Sequence, residues 1–456
     1  MTFAALDSEL LGPLFATDAM RACFSDQTWL GSMLAAEAAL ARAQAGLGLA
    51  PEGLAGAIEA ISPANLDAAA LGRQTALAGV PTIPFVKAVQ ERLPREFERE
   101  FHKGATTQDI VDTALVLRLR DALALIADDL ESILGGLTRL AEAHRGTPCV
   151  GRTYGQHAAP ISVGFAVAIW LAGVAEAADC LPEVRDRMLV ASLAGPVGTL
   201  AGLGESGPAV LESFARELGL GTTSLAWHAR RGRIAATGAW LVEMIGALAK
   251  MATDIAHLAS TEVGEVSEPY VPGRGGSSAM PHKRNPVSST VIVANFTAAK
   301  GFAHTLFDAM AALHERPPGL WHAEWHALPS LFGLASGALR EARTLAEGLV
   351  VHPERMRANL DITRGLLFAD AAASRLGATL GREAAHALVE HAAGVVRDTG
   401  ESLQTVLARD PRVSAAGVDL AVVFDLAPAV AAASPWIDRT TTDASRVRAR
   451  LSRPAV

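Results

Sequence analysis

Cysteine is scarce in this chain of 456 residues. Only Cys23, Cys149 and Cys180 occur, far apart and with no Cys-x-x-Cys pair. That excludes a disulfide scaffold and a Cys/His zinc site, so a reduced compartment without structural metal is expected. A convincing membrane-length apolar run is also missing. The stretch from Ile161 to Ala178 comes nearest, but Gly164, Trp170, Gly173 and Glu176 interrupt it, and a buried bundle helix is the better reading. The first residues, Met-Thr-Phe-Ala-Ala-Leu-Asp-Ser-Glu, lack the basic region of a signal peptide, so a cytoplasmic protein is expected. Nor is there an excess of positive charge. Forty Lys and Arg stand against 48 Asp and Glu, for a formal charge of −8. This argues against nucleic acid as a general partner and leaves no membrane partner in view. Internal repeats and low-complexity linkers are absent as well.

What is present is alanine, leucine and helical periodicity, with little β-branched alternation. Trp29–Ala45, Thr113–His144, Ile161–Leu181, Thr237–Val263, Val287–His314 and Leu331–Leu349 all read as helices. Several exceed the usual globular length, and helices apolar over much of their circumference need burial on several sides. A long-helix bundle supplies this, and packing between subunits supplies it better. Between the helices, Gly79-Val-Pro-Thr-Ile-Pro84 starts a helix with proline near its first turn. Gly146–Gly155 reads as an irregular connector, and Pro317-Pro-Gly319 as the end of the helix that begins at Val287. Glycine-rich Ala194–Gly204 lacks the strand-first context of a dinucleotide site. At His352-Pro-Glu a proline restarts the helical pattern.

The chemistry concentrates in four short strings. Residues 275–286, Gly-Gly-Ser-Ser-Ala-Met-Pro-His-Lys-Arg-Asn-Pro, form a mobile backbone bracketed by Pro281 and Pro286, with hydroxyls at Ser277 and Ser278 and cations at Lys283 and Arg284. Such a loop suits closure over an anion. Residues 101–113, Phe-His-Lys-Gly-Ala-Thr-Thr-Gln-Asp-Ile-Val-Asp-Thr, place hydroxyls and an amide just before a long helix. Free N–H groups there favour a carboxylate, and helix capping by Thr107 or Asp109 is the competing explanation. Residues 151–160 read Gly-Arg-Thr-Tyr-Gly-Gln-His-Ala-Ala-Pro. Residues 313–329 hold Glu-Arg316-Pro-Pro-Gly-Leu-Trp-His-Ala-Glu-Trp-His-Ala-Leu-Pro. Two tryptophans beside a glutamate usually mean helix packing. His322 and His326 share a helix face at metal-compatible spacing, but without the His-Glu-x-x-His order.

Taken in order, the 275–286 string closely resembles the signature loop of the fumarase/aspartase superfamily, and the other three strings resemble its further motifs. The Glu-Arg…Trp-x-Ala-Glu-Trp arrangement and Val80–Lys87 resemble the bacterial 3-carboxy-cis,cis-muconate cycloisomerase branch. The likeness runs from about Pro81 through Leu376. It implies an all-α fumarase/aspartase-like fold of three domains with a central long-helix bundle: residues 1–112, 113–351 with the signature loop, and 352–456. It further implies a homotetramer whose sites are shared between subunits, a small polycarboxylate substrate and no cofactor. By the resemblance Ser277 is the general base. Lys283 and Asn285 hold a carboxylate and stabilise the intermediate, and Tyr154 takes a catalytic position where many lyases carry histidine. Tyrosine, with a pKa near 10, is no base at neutral pH but donates a hydrogen bond. Thr106, Thr107, Gln108, Thr153, Gln156, His157, Ser278, Met280, Arg316 and His102 complete the expected substrate-binding set. His228 and Arg233 are further lining candidates, and Ser192 stands where glutamine is expected.

The implied reaction is reversible lactonisation by proton transfer next to a carboxylate. A carbon–nitrogen lyase releasing fumarate from a succinyl-amine adduct is the alternative, and a crystallin-like structural protein is the alternative of another class.

Overall fold

The computed structural model describes residues 3–451. Residues 1–2 and 452–456, at the outer edges of the first and third expected domains, lie outside the described residues. Ten of the helices frame the motifs and the C-terminal region: α1 (Asp26–Gly46), α2 (Thr107–Ala143), α3 (Val163–Asp179), α4 (Gly232–Leu258), α5 (Val287–Asp308), α6 (Leu320–Gly348), α7 (Pro353–Asp361), α8 (Ala369–Leu380), α9 (Arg382–Thr399) and α10 (Ser434–Leu451). The architecture is all-α. Its only sheets among the described residues are two antiparallel pairs, β1 (Pro148–Thr153) with β2 (Gln156–Ser162) and β3 (Val266–Ser267) with β4 (Val350–Val351).

Local chemistry sets many helix starts. Ser25 caps α1 by accepting the N–H of Thr28, and Ser162 caps α3 by accepting that of Phe165. In the helix that carries the 106–109 motif, the cap residue is Thr106. The Asp109 carboxylate reaches back to its N–H at 2.9 Å, the reciprocal half of a capping box. The helix therefore begins six residues earlier than its apolar pattern predicts. Its 37 residues span about 55 Å.

The bundle core gathers Ile126, Leu130, Leu134, Leu241, Ile245, Leu331, Phe332 and Leu339, all fully buried. Each such side chain contributes roughly 1.5–3 kcal/mol by leaving water. Helices α2 and α6 run side by side in the same direction. Trp321 meets Asp112 near their starts, and Gly136 meets Ala346 near their ends. A β-carbon on Gly136 would fall 2.8 Å from the Ala346 carbonyl oxygen, so glycine permits this backbone approach.

Several expectations need correction. Helix α6 starts at Leu320 and continues through Pro329, instead of starting beyond it. Proline removes one helical hydrogen bond there, and the burial of Trp321, Ala327 and Leu328 outweighs that loss. Helix α5 stops at Asp308, well before Pro317, which frees residues 309–319 as a loop. The 146–155 connector is not irregular: it forms the β1–β2 hairpin. Thr153 pairs with Gln156 across a two-residue turn, and Tyr154 and Gly155 hold φ of 51° and 75°, the pattern of a type I′ turn.

Within residues 352–456 a second core forms from Leu376, Leu388, Leu403 and Leu407, and α10 returns to α2 and α3, burying Ile437, Ala444 and Val447 in the main core. Three stretches are long and apolar enough to cross a membrane by length and composition, contrary to expectation: Val163–Met188, Gly232–Leu258 and Leu420–Leu451. The first two are wedged within the bundle. The third is broken into short helices before α10.

Candidate active site

The motif residues fall into three patches. The first surrounds the start of α2. Thr106 and Thr107 are half-buried, and Arg316 on the loop between α5 and α6 donates from Nη1 to the Thr106 hydroxyl at 2.9 Å. The early end of α5 makes this contact available. Arg316 has no carboxylate partner among the described residues, so it can pair with an anion beside the helix start.

Beneath this patch lies a charged network that the sequence reading missed. Asp109 accepts four N–H groups: Thr106 at 2.9 Å, Ala194 at 2.8 Å, Gly195 at 2.9 Å and His228 Nε2 at 2.7 Å. One turn further, Asp112 and Glu324 share the fully buried guanidinium of Arg231, with Arg231 Nη1 2.7 Å from Asp112 and Nε 2.9 Å from Glu324. Trp321 adds its indole N–H to Asp112 at 3.0 Å. Burial disfavours charge on Arg231, but the two carboxylates outweigh it and hold its pKa above the ordinary value. Burial also raises the Glu324 pKa, against the pull of Arg231 and with help from Asp112.

Gln108, expected on the substrate side, is buried, and its amide nitrogen donates to Asp112 at 3.1 Å and to the His228 carbonyl at 3.0 Å, so it braces the network. His228 likewise points inward, and Arg233 lies over the Trp227 ring at 4.9 Å. Trp321 and Trp325 pack edge to face, as the packing reading of that string predicts. The His322 ring packs at a tilt against Trp325, with centroids 4.6 Å apart, and its Nε2 lies 3.1 Å from the Gly79 carbonyl. The hydroxyl of Ser192 is buried without a partner among the described residues.

His102 stands at the edge of the patch. Its Nδ1 lies 2.6 Å from the buried Glu37 carboxylate. Burial favours the neutral ring, but the charge of Glu37 and its hydrogen bond prevail, and the His102 pKa is raised. A raised folded-state pKa stabilises the fold fully below the unfolded value and loses that contribution as pH rises through the folded one. Chemical unfolding of His102→Ala should therefore show a larger deficit against the parent at pH 6 than at pH 9. An equal deficit at both would show that the ring acts by packing alone.

The second patch is the signature loop. Arg274 clamps its base by pairing with Glu341 and donating to Ser288 Oγ at 2.9 Å. Glu268 holds the first turn of α5 through the N–H groups of Ser288 and Ser289, each at 2.9 Å. The loop folds back on itself: Gly276 bridges Arg284, and Asn285 donates its N–H to the Gly275 carbonyl. Ser277 Oγ accepts the N–H groups of Ala279 at 3.3 Å and Met280 at 3.1 Å. Those two donors would stabilise an alkoxide at that oxygen. Ser278, Met280, Lys283 and Asn285 are exposed, and Lys283 and Asn285 line a cavity of about 660 Å³ beside Glu268 and Tyr270.

The third patch is the hairpin tip. Thr153, Tyr154 and Gln156 are exposed, and Tyr154 extends wholly into solvent. The base is fixed by Arg152, which pairs with buried Glu265 at 3.0 and 2.5 Å, and Glu265 in turn accepts from Asn359 at 2.7 Å. His157 is half-buried. Burial, then Arg152, push its pKa down, which favours the neutral ring.

Within one chain these patches do not meet. The first sits at the start of α2 and the third follows its end, about 55 Å away along the axis. The second is anchored at Glu341, some 21 residues into α6 from Leu320. That places it about 30 Å from the Arg316 end. What a single chain does bring together is Thr106, Arg316 and the Asp109 and Arg231 network.

A family model described as lyase matches residues 14–300. A 3-carboxy-cis,cis-muconate cycloisomerase of Pseudomonas aeruginosa is 44% identical over 96% of this chain and 96% of its own length. A nitrosuccinate lyase of Streptomyces davaonensis is 42% identical over 96% of this chain and 95% of its own. Among solved structures, the 3-carboxy-cis,cis-muconate lactonizing enzyme of Pseudomonas putida superposes with a TM-score of 0.93 at 43% identity, covering 96% of this chain and all of that one. The match spans the helix start, the hairpin and the signature loop alike, and on that ground the chain belongs to the lyase family of the fumarase/aspartase superfamily.

Proposed function

We propose that this chain is a 3-carboxy-cis,cis-muconate cycloisomerase, which interconverts that triacid and 4-carboxymuconolactone, and that it works as a homotetramer with sites shared between subunits. The observation that carries the reaction is the full-length similarity to cycloisomerases in both sequence and structure. Arg316, from the string that resembles this branch, also reaches the helix start at Thr106. A soluble, cytoplasmic setting goes with this reading, with a small polycarboxylate as the partner.

In lactonisation one carboxylate oxygen bonds to an alkene carbon, and a proton is placed on the carbon alpha to another carboxylate. In reverse, a base removes that proton, the charge spreads into the carboxylate, and the ring carbon–oxygen bond breaks. The intermediate carboxylate is doubly negative, so cationic and N–H donors fixed in advance lower the barrier. Lys283, Asn285, Arg316 and the threonines suit that task. Ser277, with two N–H groups on its oxygen, suits the proton transfer. Tyr154 at the exposed hairpin tip suits donation into a neighbouring subunit's site. The 55 Å and 30 Å separations argued above are the reason for sharing, since no single chain gathers these groups.

The nitrosuccinate lyase, almost equally similar, favours a second reading in which the same machinery eliminates across a succinate skeleton. An ultraviolet assay separates the two. Loss of the conjugated diene of 3-carboxy-cis,cis-muconate, with lactone formed, is the expected result. No loss, with fumarate formed from nitrosuccinate or a succinyl-amine adduct, would replace the first reading by the second.

Site sharing has its own test. Arg316→Ala should chiefly raise the Michaelis constant, and Ser277→Ala should chiefly lower turnover. Mixed tetramers of the two variants should recover about a quarter of the native sites, because half of the chains retain each group and symmetry pairs them across subunits. Recovery of nothing beyond the sum of the parents would place both groups in one chain.

A further inference from the structure

The C-terminal part of the chain holds a cavity that the reaction does not use. Its volume is about 420 Å³, and it opens between α7, the turn that follows it, and the segments near Gly400 and Phe424. Pockets for small organic ligands begin at about 300 Å³. Its walls divide by chemistry. Arg357 and Arg364 both line it, both are exposed, and neither guanidinium has a hydrogen-bond or ion-pair partner among the described residues. Asp361 reaches the same rim without pairing with either. The rings of Phe368 and Phe424, also in the lining, lie with centroids 5.3 Å apart and tilted at 58°, giving an apolar wall.

Arg364 is held in place at a cost. Its φ of 53° lies in the left-handed region, which disfavours a residue with a β-carbon. Two hydrogen bonds enforce it: the Arg364 N–H donates to the Asp361 carbonyl, and the Arg364 carbonyl accepts from Leu403, both at 2.9 Å. The guanidinium lies against the bare backbone of Gly400, where a β-carbon would fall 2.5 Å from Nη1. A backbone outlier carrying an unpaired cation at a cavity rim points to a binding role.

We propose that this cavity binds a small aromatic or conjugated monocarboxylate, with the carboxylate between Arg357 and Arg364 and the unsaturated body against Phe368 and Phe424. Planar forks recognise carboxylates through paired N–H donors, and they also stack on π-systems. None of the cavity's lining residues belongs to the three motif patches, and the cavity lies beside the hairpin base, since Phe368 packs against the small core of Val150, Leu360 and Leu367.

The test is a titration of the full-length protein with 4-fluorobenzoate, read by fluorine NMR. Saturable binding is expected, and it should survive Arg316→Ala. Arg357→Ala and Arg364→Gly should each weaken it about tenfold or more. Arg364→Gly relieves the left-handed strain, and an unchanged thermal midpoint in that variant separates lost binding from a lost fold. Acetate, which lacks the ring, should compete poorly. Absence of saturable binding would overturn the proposal. So would binding that Arg316→Ala abolishes, or binding that Arg357→Ala and Arg364→Gly leave unchanged.

Discussion

Replacing Arg231 with methionine should destabilise the fold by about 3–5 kcal/mol, read by urea unfolding at fixed chain concentration. Among the described residues the guanidinium is the only cation paired with Asp112 and Glu324, and all three side chains are buried. Methionine fills similar volume, so cavity formation is a minor part of the loss. The major part is two carboxylates left in the interior without a counter-charge. Trp321 and Gln108 still donate to Asp112. Glu324, whose pKa burial already raises, should then take up a proton, and the loss should shrink as pH falls. Glu324→Gln should cost far less, because it leaves Arg231 with one full partner in Asp112. Adding Asp112→Asn and Glu324→Gln to Arg231→Met should recover part of the lost stability. A loss under 1 kcal/mol for Arg231→Met alone would mean that water reaches the carboxylates, and the network would lose its role as the brace of the helix start.

That network explains what the sequence could and could not reveal. The long helices were legible because apolar residues recur at helical spacing for many turns, as from Ile110 to Leu137. Their ends were less so. The start of α2 depends on the Thr106 and Asp109 exchange, and the stop of α5 at Asp308 has no local breaker. Its reason is tertiary: the loop must carry Arg316 to Thr106. Pro329 misled because proline usually ends a helix, whereas here the turn before it is fixed by buried Trp321 and Glu324. The hairpin was missed because Tyr-Gly is a less familiar form of the left-handed two-residue turn than Asn-Gly.

The motif strings stood out for the opposite reason, being unlike anything a packed helix needs. Gln108 shows the limit of that reasoning. Nothing in the string distinguishes it from Thr106 and Thr107, and only helical geometry, which sets residues 108 and 112 on one inward face, turns its amide to the core. Asp112 and Arg231 carried no signal of their own, since an acid beside Ile110 and Val111 reads as a solvated face until the third dimension supplies Arg231, more than a hundred residues away.

Ser277→Ala should lower turnover by about 10²–10⁴-fold, the range for loss of a positioned proton carrier, while leaving the fold and assembly unchanged. The side chain makes no contact that supports the bundle. Its oxygen only receives N–H groups from its own loop, and the clamp of Arg274, Ser288 and Glu341 lies outside it. A free serine hydroxyl is far too weak a base for a carbon acid. The case for Ser277 therefore rests on Ala279 and Met280, whose N–H groups would be worth most when the oxygen is negative. Turnover alone does not isolate that role, because a loop that closes badly would also be slow. Exchange of the alpha proton of 4-carboxymuconolactone with D₂O does isolate it. The native protein should catalyse this exchange without net ring opening, and Ser277→Ala should lose exchange and turnover together. Lys283→Ala should retain a larger share of exchange than Ser277→Ala, since the cation stabilises the charge without moving the proton. Exchange that persists in Ser277→Ala would assign the proton to another group, and Tyr154, presented at the hairpin tip, would be the next residue to replace.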